Sequence, residues 1–176
     1  MSKRMRNWTK TLWLLGCTTL FVATSLSRAE DVAPAPPVSE SQKQLIEAYV
    51  AAVNAKDVQK LKACLHPKSI ASITDENSDF FEELFARQMK SNIPKDYQVR
   101  VNPVRDDQIK SMAGVGTFPI TPTHMIQIEW NPSKNSTSAV VLQVVQDGGK
   151  WYEMAFVPTQ QTLDGWRARK SAEQKK

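Results

Sequence analysis

The sequence predicts an α+β fold, with N-terminal helices packed on one face of an antiparallel sheet. Three observations carry this. Apolar residues recur with a helical period up to Met89. From Tyr97 onward the period changes to two. Runs of helices followed by runs of strands, without strand–helix alternation, exclude a doubly wound parallel sheet.

The first helix is built on Leu45, Ala48, Tyr49, Ala52 and Val53, which form one apolar stripe. Ser39 and Gln42 have capping-box spacing at its start. Asp57 can cap a second helix from Val58 to Leu65, which Pro67 is expected to stop. Residues 69–74 read as a short strand or turn. Asp79 and Glu82 repeat the capping-box spacing before a third helix with Phe80, Phe81, Leu84, Phe85 and Met89 on its apolar face, ended by Pro94. Tyr97, Val99 and Val101 alternate with polar residues as a half-buried strand. Residues 112–118 are a possible strand bent by Gly114 and Gly116. From Thr123 to Trp130 the chain alternates again, with His124, Ile126, Ile128 and Trp130 on one face. Asn131 to Ser136 is a loop, with a glycosylation sequon at Asn135 that is idle in a bacterial source. Residues 139–146 and 151–157 are strands joined by the tight turn Asp147-Gly148-Gly149.

A chain of 176 residues supports one domain with tails. Its formal charge of +5 belongs to the N-terminus. Lys3, Arg4, Arg6, Lys10 and Arg28 account for 5 of the 23 bases, leaving 18 against 18 acids. A neutral remainder gives no support for nucleic-acid binding. Basic residues, an apolar run from Leu12 to Ala23 and small residues at Ser27 and Ala29 have the layout of a cleaved signal peptide over 1–29. The localisation expected is periplasmic or secreted. Leu14-Leu15-Gly16-Cys17 is the alternative, a lipidated Cys17. Membrane contact is expected only through an uncleaved or lipidated leader. Residues 30–38 form a proline- and alanine-rich linker, 39–159 the folded domain and 160–176 a polar basic tail, read as a frayed, solvated helix. Cleavage after Ala29 would leave Cys64 as the single cysteine, read as a buried small hydrophobe.

Tyr49 through Lys56-Asp57, then Leu61, Leu65-His66-Pro67 and Asp147-Gly148-Gly149-Lys150-Trp151-Tyr152, resemble the nuclear transport factor 2-like superfamily, which includes SnoaL-like and ketosteroid isomerase-like proteins. The resemblance spans roughly Ser39 to Thr159 and implies a secreted bacterial member. It implies a cone-shaped α+β barrel, a curved sheet wrapped around the first helix with a pocket at its open end. It also implies pairing of two subunits through the convex sheet face.

On that basis the pocket would be lined by Tyr49, Val53, Phe81, Phe85, His124, Ile126 and Trp130. His124 and Tyr49 are the acid/base candidates. His66 is read as a structural residue at a helix C-terminus. Asp75, Glu76 and Asp79 are read as a solvated cluster favouring a helix start. The faces of Glu129 and Glu153 are left open. Two separated histidines make no metal site, and no cofactor motif is present. The function expected is a small-ligand-binding or protein-interaction module, a homodimer able to hold a small apolar ligand. The alternative is a small enzyme for proton transfer, hydration or dehydration on a hydrophobic substrate.

Overall fold

A computed structural model describes residues 37–131 and 137–174. The leader with Cys17, most of the linker and the loop with the Asn135 sequon lie outside them.

Helix α1 (Glu40–Ala55) starts where the capping box places it, with Gln42 N–H donating to Ser39 Oγ at 3.3 Å and Ser39 N–H donating to Gln42 Oε1 at 2.9 Å. Its buried stripe is Leu45, Ile46, Tyr49, Ala52 and Val53. Ile46 takes the place expected for Ala48, which is exposed. Lys56 ends the helix in the left-handed conformation at φ 56°. Helix α2 (Val58–Ala63) is capped by the Asp57 carboxylate as expected.

Pro67 does not terminate α2. It opens α3 (Pro67–Ala71), whose N-cap is His66. Of the expected strand or turn at 69–74, residues 69–71 are helical and Ser72 is a turn. Proline fits the first helical position because its missing N–H has no intrahelical partner there. His66 acts at a helix N-terminus, not a C-terminus. Its Nδ1 accepts from Lys68 N–H at 3.1 Å, leaving Nε2–H to donate to Asp147 Oδ2 at 3.1 Å.

Helix α4 (Ser78–Gln88) starts two residues earlier than the expected cap at Asp79: Asn77 holds the N-cap position without a side-chain capping bond, and Asp79 lies in the first turn. The Asn77 amide instead bridges Thr74 N–H and the Ser72 carbonyl, closing the preceding loop.

Strand β1 (Gln98–Pro103) leads into helix α5 (Asp106–Met112), which the glycines at 114 and 116 obscured in the sequence. Only Gly116–Thr117 forms strand β2, paired with β6 (Val157–Pro158). A β-carbon at Gly116 would overlap the Phe156 ring and the Val157 carbonyl, so that approach requires glycine. Strands β3 (His124–Trp130), β4 (Ser138–Asp147) and β5 (Lys150–Glu153) complete an open antiparallel sheet in the order β1-β3-β4-β5. Gly148 and Gly149 both take positive φ, 56° and 81°, in the two-residue turn between β4 and β5.

The segment read as a solvated tail is mostly helix α6 (Gln160–Glu173), and Leu163 and Trp166 on it are both 5% exposed. A polar sequence hid two apolar anchors one turn apart. Trp166 stacks edge-on against Phe80 of α4, at 5.6 Å between centroids. The protein is thus α+β, with six helices and an antiparallel four-stranded sheet among the described residues.

Removing the His66 ring should cost about 3 kcal/mol, combining a lost cap, a lost part-buried hydrogen bond to Asp147 and a cavity. His66→Asn keeps a capping side chain and should lose clearly less than His66→Ala. Urea unfolding of both variants measures the difference.

Candidate functional site

The strand register decides which side chains meet α1. Val101 pairs with Ile126, Ile126 with Leu142, and His124 with Val144. Val144 pairs in turn with Glu153, and Gln146 with Trp151. These residues share the inner face with Ile128 and Trp130. Glu153 therefore points inward. Glu129 is on the opposite face, beside Arg100 at 3.6 Å.

Six of the seven expected pocket residues, all but His124, lie in one buried core cluster. Val53 and Ile126 are fully buried, Tyr49 and Phe81 are 1% exposed, Phe85 3% and Trp130 8%. Phe81 and Phe85 lie 6.2 Å apart in the same layer. His124 is half-buried at the start of β3. Its Nδ1 lies 3.0 Å from the Thr123 hydroxyl, and its ring meets the Trp151 ring edge-on at 5.1 Å. Among the described residues no hydrogen bond joins it to Tyr49 or to a carboxylate. The two acid/base candidates are on the same side of the sheet without forming a catalytic pair.

A different group of polar residues meets in the core. Glu153 is 8% exposed, and its backbone is clamped by the segment after α2. Glu153 N–H donates to the Cys64 carbonyl at 2.9 Å, and His66 N–H donates to the Glu153 carbonyl at 2.9 Å. Gln88, the last residue of α4, extends its amide N–H toward Glu153 Oε1 at 3.5 Å. Burial pushes the Glu153 carboxyl from its ordinary 4.5 up to about 7, and the Gln88 hydrogen bond pulls it slightly back. Burial first, then the Glu153 charge, then Cys64, raise the Tyr49 hydroxyl well above its ordinary range. Burial and Glu153 push the Cys64 thiol up to about 11, with Lys150 opposing. This makes Glu153 the one described carboxyl raised to near neutrality, on a strand face that the sequence alone does not assign. The signal was present in the turn. Pairing Asp147 with Lys150 across Gly148-Gly149 fixes Val144 opposite Glu153. The continuous apolar run in β4 hides which of its faces is the inner one.

Surface clefts lie elsewhere. One of about 80 Å³ runs between α4 and α6, lined by Phe80, Leu84, Phe156 and Trp166 with Glu83, Arg87 and Arg169 at its rim. Another of about 250 Å³ separates the start of α1 from β1, beside Ile46, Tyr97 and Val99. Asp75, Glu76 and Asp79 stay near the surface, where Asp79 faces Arg167 at 3.5 Å. Among the described residues no group of three His, Cys, Asp or Glu could hold a metal, and no helix is long and apolar enough to cross a membrane. No family model, curated protein or solved structure matches the chain.

The raised Glu153 carboxyl fixes a pH dependence. The folded state holds this proton more tightly than the unfolded chain, so its contribution is complete below about pH 4.5 and disappears as pH rises through about 7. The loss is about 3 kcal/mol at full ionisation. Glu153→Gln should flatten stability over that range and be the more stable protein at alkaline pH. Chemical denaturation of both proteins across this range measures the slope.

Proposed function

We propose that this protein is a secreted or periplasmic interaction module without catalytic activity, built on the cone-shaped nuclear transport factor 2-like plan and working as a homodimer. One observation carries the reading. All but His124 of the side chains that would line a ligand pocket belong to one core cluster and are almost completely buried. A site must open to its substrate, and the described clefts are at the surface. The signal-peptide layout of residues 1–29 supports export.

The outer sheet face is the surface we assign to the second copy. It presents Arg100, Gln127, Glu129 and Ala139, with Val141 opposite Gln127 and 39% exposed. Self-association there would bury an apolar centre ringed by opposite charges. The cleft between α4 and α6 is the second surface, apolar at its floor and charged at its rim, and is where a small apolar ligand or a partner would sit.

The alternative reading is a proton-transfer enzyme. The observation favouring it is Glu153, titrating near neutrality beside Tyr49. That chemistry needs a path to Glu153 past Phe81 and Phe85.

Native mass spectrometry on the purified protein tests the leading reading. The expected spectrum is a dimer that Val141→Arg converts to monomer. A wild-type monomer would remove the homodimer. A retained small molecule that His124→Ala or Glu153→Gln releases would replace the interaction module with a ligand-binding or catalytic interior.

A further inference from the structure

Glu153 and Gln88 face each other inside the protein, and each has one buried oxygen without a partner. These atoms are Glu153 Oε2 and Gln88 Oε1. The contact between the residues runs from Gln88 Nε2–H to Glu153 Oε1, at 3.5 Å. With an ionised carboxylate, both remaining oxygens are acceptors and neither can satisfy the other. Unpaired buried acceptors are costly and demand an explanation.

A proton on Glu153 Oε2 supplies one. The neutral carboxyl then donates O–H to the amide oxygen while its other oxygen accepts the amide N–H. A carboxylic acid and a primary amide are complementary in this way, and the two hydrogen bonds use all four atoms. The separation of 3.5 Å must shorten by about 0.5 Å to reach ordinary bond length. Both side chains have the rotatable bonds to do so.

We propose that Glu153 and Gln88 form a proton-dependent latch, a carboxylic acid–amide pair that fastens the end of α4 to β5 and is loosened, losing one of its two bonds, when Glu153 ionises.

The surroundings favour the neutral form. The titratable groups coupled to Glu153 are Tyr49 from α1 and Cys64 from the end of α2, neither of them positive, while the buried His66, bonded to Glu153 through its backbone, turns its ring to Asp147 and Lys68 N–H. From β4 the facing residue is Val144. On β5 itself Lys150 is exposed, three residues away. Among the described residues no ion pair includes Glu153. An ionised Glu153 would thus lack a cation and leave the Gln88 oxygen stranded. The backbone of Glu153 is pinned by Cys64 and His66, so α4 is the partner able to move. That helix also contributes Phe80, Glu83, Leu84 and Arg87 to the outer cleft. The link from latch to cleft rests on the interaction reading above, whereas the latch itself does not.

A double-mutant cycle with Gln88→Met and Glu153→Met, followed by urea unfolding at about pH 5 and about pH 8, tests the latch. At the acid pH the coupling should raise the folding constant on the order of tenfold, and at the alkaline pH, where only the amide N–H to carboxylate contact is left, it should be clearly smaller. Glu153→Gln restores a two-bond amide pair, so its coupling to Gln88 should persist at both values. Coupling that is absent at acid pH, or equal at both, would overturn the latch and leave a buried acid with no specific partner. Should the methionine variants fail to fold, hydrogen exchange in wild type and Glu153→Gln decides. Protection of the last turn of α4, corrected for intrinsic rates, should fall at alkaline pH in wild type alone, and equal protection in both proteins refutes the latch. Each of these measurements reads the isolated protein, so the outcome stands whether or not the cleft binds a partner.

Discussion

Two backbone hydrogen bonds between the segment after α2 and the end of β5 hold the helical layer to the sheet. Cys64 accepts from Glu153, and Glu153 accepts from His66, each at 2.9 Å. This clamp extends the sheet edge by one parallel bridge at Leu65. It fixes where α2 ends and where α3 begins, because His66 donates its backbone N–H to the clamp and uses its ring to cap α3. It also sets the direction of the Glu153 side chain. With its backbone held on both sides and its strand paired to β4, that carboxyl has only the interior to occupy. The buried acid follows from the clamp and register together.

Local chemistry made the helices legible. Ser39, Gln42 and Asp57 do in the structure what their side-chain oxygens predict. The period-two stretches around β1 and β3 were equally direct, since each has one polar face. Legibility failed where a residue type has two uses. Pro67 reads as a stop but also fits a first turn, and only the clamp at His66 selects the second. In α6, polarity outweighed Leu163 and Trp166, although both are buried and Trp166 packs on Phe80 of α4. The finer cone geometry remains a proposal, since the sheet is open, with β1 and β5 at its edges.

The candidate site divides in the same manner. Its apolar members were identifiable because core positions and pocket positions share one hydrophobic pattern. That shared pattern is also why sequence could not separate an empty pocket from a filled one. Tyr49, Phe81 and Phe85 satisfy either arrangement, and their near-complete burial is what favours a filled interior. Glu153 was illegible for a different reason. Strand β4 has apolar residues on both faces, Val140, Leu142 and Val144 on one and Val141 and Val145 on the other. A strand that is apolar on both faces does not indicate the side its neighbour buries.

The choice between interaction module and enzyme then reduces to solvent access at a single carboxyl. Acid–base chemistry needs a group that titrates near the working pH and a route for substrate to reach it. Glu153 meets the first requirement because it is desolvated, and desolvation here comes from the same close packing that blocks the second. Opening the interior would hydrate the carboxyl and lower its proton affinity toward the ordinary carboxylate range. A closed core with a neutral acid and an opened core with an ionised one are therefore physically coupled states. The protein cannot combine a wide, wet cavity with a Glu153 that owes its proton to dryness. An enzyme built on this residue would need the substrate itself to replace the lost apolar surroundings, whereas an interaction module needs only the closed state. The near-complete burial of Tyr49, Val53, Phe81 and Phe85 in one core cluster favours the latter.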